Sequence, residues 1–188
     1  GNGASTYMFD AFVNFYDGQV ISFDINNDSV KHVESTTTNK TKVVCIDSVV
    51  GIDNLKNIDI FSINGLYLDS VDTNFIDDNF SSTHALKELI ASTFYFTNKT
   101  IILVDDTPVN INFLPPWVKN DPNRGKNIEY MSKLSFPCGK GRHINDYIKN
   151  ESNFNCLYHE YQLLFQYSVN DIQIPKKIHQ TWKSKDID

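Results

Sequence analysis

What this chain lacks narrows it first. Its three cysteines, Cys45, Cys138 and Cys156, are an odd number without close spacing. That pattern argues against a disulfide framework and against a cysteine-built zinc site. No apolar run approaches the roughly 20 residues that span a bilayer, so no membrane span is expected. An excess of positive charge is missing too: 17 basic residues face 23 acidic ones, a formal net charge of -6. A general electrostatic attraction to nucleic acid is therefore not expected. The opening Gly1-Asn2-Gly3 has neither the basic nor the apolar segment of a secretory signal. Together with the unpaired cysteines, this points to a reducing, cytoplasmic compartment. Cys45 lies in the apolar run Val43-Val44-Cys45-Ile46 and reads as a small buried hydrophobe. There is no internal repeat and no low-complexity tract.

What is present is an ordinary globular composition, 40% hydrophobic and 21% charged over 188 residues, enough for one domain with a sizeable core. β-rich runs alternate with helical stretches. Met8, Phe9, Phe12, Val13 and Tyr16 recur at helical spacing over residues 7–16, and Gly18 ends that helix. QVISFD at 19–24, TKVVCID at 41–47, GLYLD at 65–69 and TIILVDD at 100–106 read as strands, and residues 81–92 as a helix. Residues 107–137 are rich in proline and read as a long loop of the kind that is usually functional or mobile. A short helix follows at 141–151, then two closing strands at 156–158 and 163–168 as an antiparallel pair. This alternation predicts an α/β fold with a mostly parallel, doubly wound sheet and an antiparallel closing strand.

Each of the first four strands ends in an acidic residue: Asp24, Asp47, Asp69, and Asp105 with Asp106. Ligands of open α/β sheets bind outside the carboxyl ends of the strands, so these acids should share one crevice. Gly1-Asn2-Gly3-Ala4-Ser5-Thr6 leads straight into the first helix. Glycines there permit close ligand approach, and helix amides favour anionic or polar groups. Asp24 follows about 20 residues later, where an acid accepts hydrogen bonds from ribose hydroxyls.

The series G-N-G-A-S-T, V-I-S-F-D-I-N, V-V-C-I-D-S, L-Y-L-D-S and I-I-L-V-D-D-T resembles the motif order of class I S-adenosylmethionine-dependent methyltransferases, in particular the cation-dependent O-methyltransferases. The resemblance covers roughly residues 1–168 and implies a Rossmann-like domain over residues 1–170. It implies that Gly1, Gly3 and Ser5 form the cofactor loop and that Asp24 holds the ribose. Asp47 and Ser48 would lie near the adenine. Asp69, Asp105 and Asp106 would bind Mg2+ or another divalent cation. Hard oxygen ligands suit such an ion, which would lower the pKa of a substrate hydroxyl and orient it.

Two departures accompany the match. Where catechol-type relatives carry a lysine base, three residues after the first metal ligand, this chain has Asp72. Proton removal would fall to Asp72, to His84, or to activation by the metal that Asp69 helps to hold. In the family, a strand also precedes the glycine loop at the centre of the sheet. The chain is accordingly expected to be an excerpt of a longer protein. Trp117, Lys140 and Arg142, in the variable region after the fourth strand, read either as substrate contacts or as loop anchors and solvated charge.

Ile174-Pro175-Lys176-Lys177-Ile178-His179-Gln180-Thr181-Trp182 resembles the opening strand of glycosyltransferases that carry a DXD motif. Residues 171–188 are thus expected to form a linker and the first strand of a truncated glycosyltransferase domain. The resulting expectation is a methyltransferase acting on a sugar or glycan hydroxyl within a larger glycan-building protein. The alternative is a non-catalytic Rossmann module that binds a nucleotide or partner and supports the attached glycosyltransferase.

Overall fold

The computed structural model describes residues 3–169. Gly1 and the tail with its glycosyltransferase-like motif lie outside the described residues. Six strands form a two-stranded parallel sheet, β1 (Val20–Asp24) beside β2 (Thr41–Cys45), and a four-stranded sheet. The latter runs β3 (Ile63–Leu68), β4 (Phe96–Val104), β6 (Leu163–Tyr167), β5 (Phe154–His159). β3 and β4 are parallel, whereas β6 is antiparallel to both of its neighbours. Among the described residues no strand lies between β1 and β3, the place for which the family resemblance expects a further one.

The two sheets are joined by helices. α1 (Ala4–Phe15) covers β1, where Thr6 Oγ lies 3.1 Å from Ser22 Oγ, and Phe9 meets the ring of Tyr67 in β3. α2 (Asn27–Glu34) is capped by Asn26, which accepts from the amides of Asp28 and Ser29. α3 (Ser48–Asp53) is capped by Asp47, which accepts from Val50. Its buried Ile52 packs with Leu55 and Tyr95, and Ile21, Phe23 and Ile63 pack around them. α4 (Asn79–Ser92) lies against the larger sheet, where Ala85 and Leu89 join Leu68, Ile102, Val104, Leu163 and Phe165 in the main core. α7 (Arg142–Ile148) adds Ile144 and Ile148 to it.

The proline-rich region is a packed structure with its own small core. It holds two short helices, α5 (Pro116–Lys119) and α6 (Ile128–Ser132), and Phe75, Leu114, Val118 and Cys138 are buried together. Cys45 departs from expectation, because it is exposed. Val43, on the same face, is buried against Val30 and Val33 of α2, whereas Cys45 is the last residue of β2 and lies exposed. α2 and α3 also escape the periodicity analysis, being too short to repeat a hydrophobic face. No described helix is long and apolar enough to cross a membrane.

One acid ties α1 to the sheet. Asp10 Oδ1 accepts from Thr41 Oγ at 2.6 Å, from Thr38 Oγ at 2.7 Å and from the Thr38 amide at 3.1 Å. These bonds, chiefly that from Thr41, hold its carboxyl below the ordinary value of 3.8. A depressed carboxyl contributes stability that is complete above its unfolded value and lost as pH falls through the folded one. Asp10→Asn should therefore destabilise more at pH 7 than near pH 3 in urea unfolding. An equal loss at both pH values would refute this linkage.

Candidate active site

α1 runs back along β1: Thr6 lies opposite the middle of that strand, and Val13 O accepts from Lys40 Nζ just before β2. The amino end of α1 therefore points towards the carboxyl ends of β1 and β2. Gly3 caps it in a left-handed conformation, φ 71°. A Cβ there would come within 2.5 Å of Val33 Cγ2, so both space and conformation call for glycine. Ser5 lies in the first turn. Asp24 ends β1, and its Oδ1 accepts from the Asn26 amide at 2.8 Å. Asp47 and Ser48 follow β2 at the start of α3. These residues share one edge of the small sheet.

His84 belongs to this side of the molecule. Its Nε2 lies 3.0 Å from Ser48 Oγ and 3.6 Å from Glu88 Oε1. The bond to buried Glu88 outweighs burial and raises the imidazole above its ordinary value. Serine, histidine and glutamate here do not form a nucleophile relay, because a relay uses both ring nitrogens and both of these partners face Nε2.

The second cluster stands at the carboxyl ends of β3 and β4. Asp69 directly follows β3, and Asp105 and Asp106 follow β4. Tyr67 Oη donates to Asp105 Oδ2 at 2.7 Å and lies 3.4 Å from Asp69 Oδ2. Gln162 and the Asp106 amide donate to Asp105 Oδ1, each at 2.9 Å. Tyr161 donates to Asp106 Oδ1. Lys140 Nζ donates to Asp106 Oδ2 at 3.0 Å and also to Asp69 Oδ1. Burial, reinforced by these acids, raises both Tyr67 and Tyr161, so both phenols stay protonated donors. Asp69 is raised as well, chiefly by burial and partly offset by Lys140. Burial opposes charge on Lys140, but Asp69 and Asp106 more than compensate and hold it above its ordinary value.

Lys140 is thus neither a solvated turn residue nor free to meet a substrate. It is 3% exposed, and the glycines on either side of it explain how it gets there. Gly139 has φ 84°, and a Cβ on it would fall 1.8 Å from Asp106 O. A Cβ on Gly141 would fall 2.5 Å from Thr107 Cγ2. The loop therefore lies flat on the Asp106-Thr107 backbone, with the Lys140 amide bonded to Asp106 O and the Gly141 amide to Thr107 Oγ. Asp78, just before α4, accepts from the Gly139 amide at 2.7 Å and from Arg142 at 2.9 Å. Arg142 is accordingly an anchor too. Trp117 is half exposed, lies beside Phe75 and has Arg124 over its ring.

The three acids that the sequence reading assigns to a divalent cation come together, but they do not fit that ion as arranged. Among the described residues no group of three or more His, Cys, Asp or Glu is placed to hold a metal. Each of the six oxygens of Asp69, Asp105 and Asp106 has a protein donor, and a lysine ammonium sits between two of the carboxylates. Asp72 is exposed on the loop after β3. The sequence reading missed Tyr67, Tyr161 and Gln162. Only the glycine-lysine-glycine spacing hinted at Lys140, since flanking glycines mark close backbone approach.

No protein-family profile matches the chain, and neither does any curated protein. Solved structures do. MycE, the methyltransferase of the mycinamycin biosynthetic pathway seen with Mg and SAH, superposes with a TM-score of 0.54 at 15% identity. That match covers 96% of this chain and 45% of MycE, so the chain spans about half of that protein. A provisionally assigned rRNA methylase from Clostridium thermocellum gives 0.50 at 12% identity, covering 89% of this chain and 83% of that one. A provisionally assigned methyltransferase from Streptococcus mutans in complex with SAH gives 0.50 at 8% identity, covering 89% and 84%. At these identities the likeness concerns architecture alone: the α/β sheet described above is Rossmann-like, as in these methyltransferase neighbours.

Proposed function

We propose that the chain is an S-adenosylmethionine-dependent O-methyltransferase domain whose acceptor is a sugar or glycan hydroxyl. The observation that carries this reading is the shared carboxyl edge of β1 and β2, where Gly3, Ser5, Asp24, Asp47 and Ser48 gather beside a second acidic cleft. Carboxylates suit ribose hydroxyls, and a glycine-capped helix end suits the polar part of the cofactor. When bound, S-adenosylmethionine would supply an electrophilic methyl group. Asp24 would hold the ribose, and Asp47 and Ser48 would border the adenine. Asp69, the more exposed of the two acids that Lys140 holds, would accept a hydrogen bond from the acceptor hydroxyl and take its proton. Asp72 and His84 serve this role less well, since His84 is engaged by Ser48 and Glu88. The glycan context draws on the tail motif and on MycE, which has been seen with mycinamycin VI.

Calorimetry with S-adenosylmethionine and SAH tests the reading. The chain should bind both. Asp24→Ala should cost about 1–3 kcal/mol of binding, the range for losing hydrogen bonds to a charged group. Unchanged affinity in that variant would remove the ribose assignment, and a wild-type chain that binds neither ligand would remove the function. The second reading, a non-catalytic module supporting a glycosyltransferase, draws on Asp72 standing where a lysine base is expected. It predicts binding without methyl transfer to any sugar acceptor.

A further inference from the structure

Three carboxylates on adjoining strand ends repel one another unless a positive charge or protons intervene. In related chemistry a divalent ion supplies that charge. Here the charge is already present in the chain. The Lys140 ammonium bonds Asp69 and Asp106, on the ends of different strands. Its side chain is 4% exposed, so it is fixed within the protein and not reaching into solvent. Asp105, between them, is satisfied by Tyr67, Gln162 and the Asp106 amide.

The loop that delivers the lysine is built for close contact. Gly139 and Gly141 allow it to touch the Asp106-Thr107 backbone, and Asp78 clamps it through the Gly139 amide and Arg142. A lysine placed by chance on a mobile turn would need none of these fittings.

We infer that Lys140 is the built-in cation of the acidic cleft: its ammonium takes the place of a divalent ion among Asp69, Asp105 and Asp106, and the cleft works without bound metal. Lys140 is a positioning residue, acting through Asp69 and Asp106. The consequence that methyl transfer is insensitive to chelator rests on the function proposed above. The consequence for metal binding does not.

Titration of Mn2+ into the full chain, followed by the electron paramagnetic resonance signal of the free ion, tests the inference. The wild-type chain should leave the signal undiminished. Lys140→Ala should bind Mn2+ at least about tenfold more tightly, because a unit charge at contact distance changes the interaction by that order or more. Adding Asp106→Asn should abolish the gain. Wild-type Mn2+ binding that disappears in Asp69→Asn or Asp106→Asn would overturn the inference. So would a folded Lys140→Ala chain that gains no binding. Lys140→Gln, uncharged and of similar length, is the second variant if the alanine chain does not fold, and the wild-type titration needs no variant. SAH calorimetry on the same preparation separates the two proposals: loss of SAH binding would remove the methyl-transfer function and leave the cation result standing.

Discussion

Gly139→Ala should destabilise the chain by about 2–5 kcal/mol. Two independent costs add at this position. Its φ of 84° lies in the left-handed region, where a Cβ costs roughly 1–2 kcal/mol. The new carbon would also fall 1.8 Å from Asp106 O, a backbone atom that cannot swing aside. Relieving such an overlap by backbone shift costs about 1–3 kcal/mol. That shift would lengthen the hydrogen bond that the Gly139 amide donates to Asp78 and draw Lys140 away from Asp69 and Asp106, so the damage would reach the cleft. Gly65 is the matched control. It lies within β3 with no atom within 4 Å of an added Cβ, and alanine there should be neutral or stabilise by up to about 1 kcal/mol. Urea unfolding of both variants checks the pair. A Gly139→Ala chain within about 0.5 kcal/mol of wild type would contradict the steric account.

Phe165→Ala should cost about 3–5 kcal/mol, the range for truncating a fully buried aromatic ring. Phe165 is 0% exposed at the centre of the main core. In β6 it faces Ile102 of β4 on one side and Cys156 of β5 on the other, and its ring meets Phe154 at 5.5 Å. The surrounding residues are held by three hydrogen-bonded strands and cannot collapse into the space. Since single domains have about 5–15 kcal/mol of stability, much of it would be lost. Phe15, 88% exposed at the end of α1, is the counterpart, and alanine there should change stability by no more than about 0.5 kcal/mol. Guanidinium denaturation monitored by circular dichroism would distinguish them. A small effect at Phe165 would mean that the core repacks around the missing ring.

Much of the architecture was legible in the residues. Strand runs such as those at 19–24 and 100–106 are bounded by turn residues and carry their own β-branched side chains, so local chemistry sufficed to find them. The pairing of the last two strands as an antiparallel closure was also legible, and β5 and β6 adopt it. The short helices α2 and α3 were not. Their caps, Asn26 and Asp47, are common turn residues, and six to eight residues carry too little periodicity to separate a helix from a loop. Cys45 shows the same limit at one residue, because an apolar neighbourhood in sequence cannot reveal that α2 covers Val43 and leaves the end of the strand exposed.

For the cleft, the sequence by itself pointed to acids at the strand ends but read Asp24, Asp47, Asp69, Asp105 and Asp106 as one crevice, whereas the first two stand on the small sheet and the others on the larger one. Strand parity and the rule that parallel strands share a carboxyl edge bring Asp69 to Asp105 and Asp106. What neutralises them was decided only by tertiary structure. Lys140 is 34 residues from Asp106 and 71 from Asp69 along the chain, and Tyr161 and Gln162 come from the turn of the closing hairpin. Electrostatic partnership depends on distance in space, and chain spacing constrains it only within one element. A carboxylate cluster therefore reads in sequence as a demand for positive charge, while the folded loop at Gly139-Lys140-Gly141 decides that a side chain meets it.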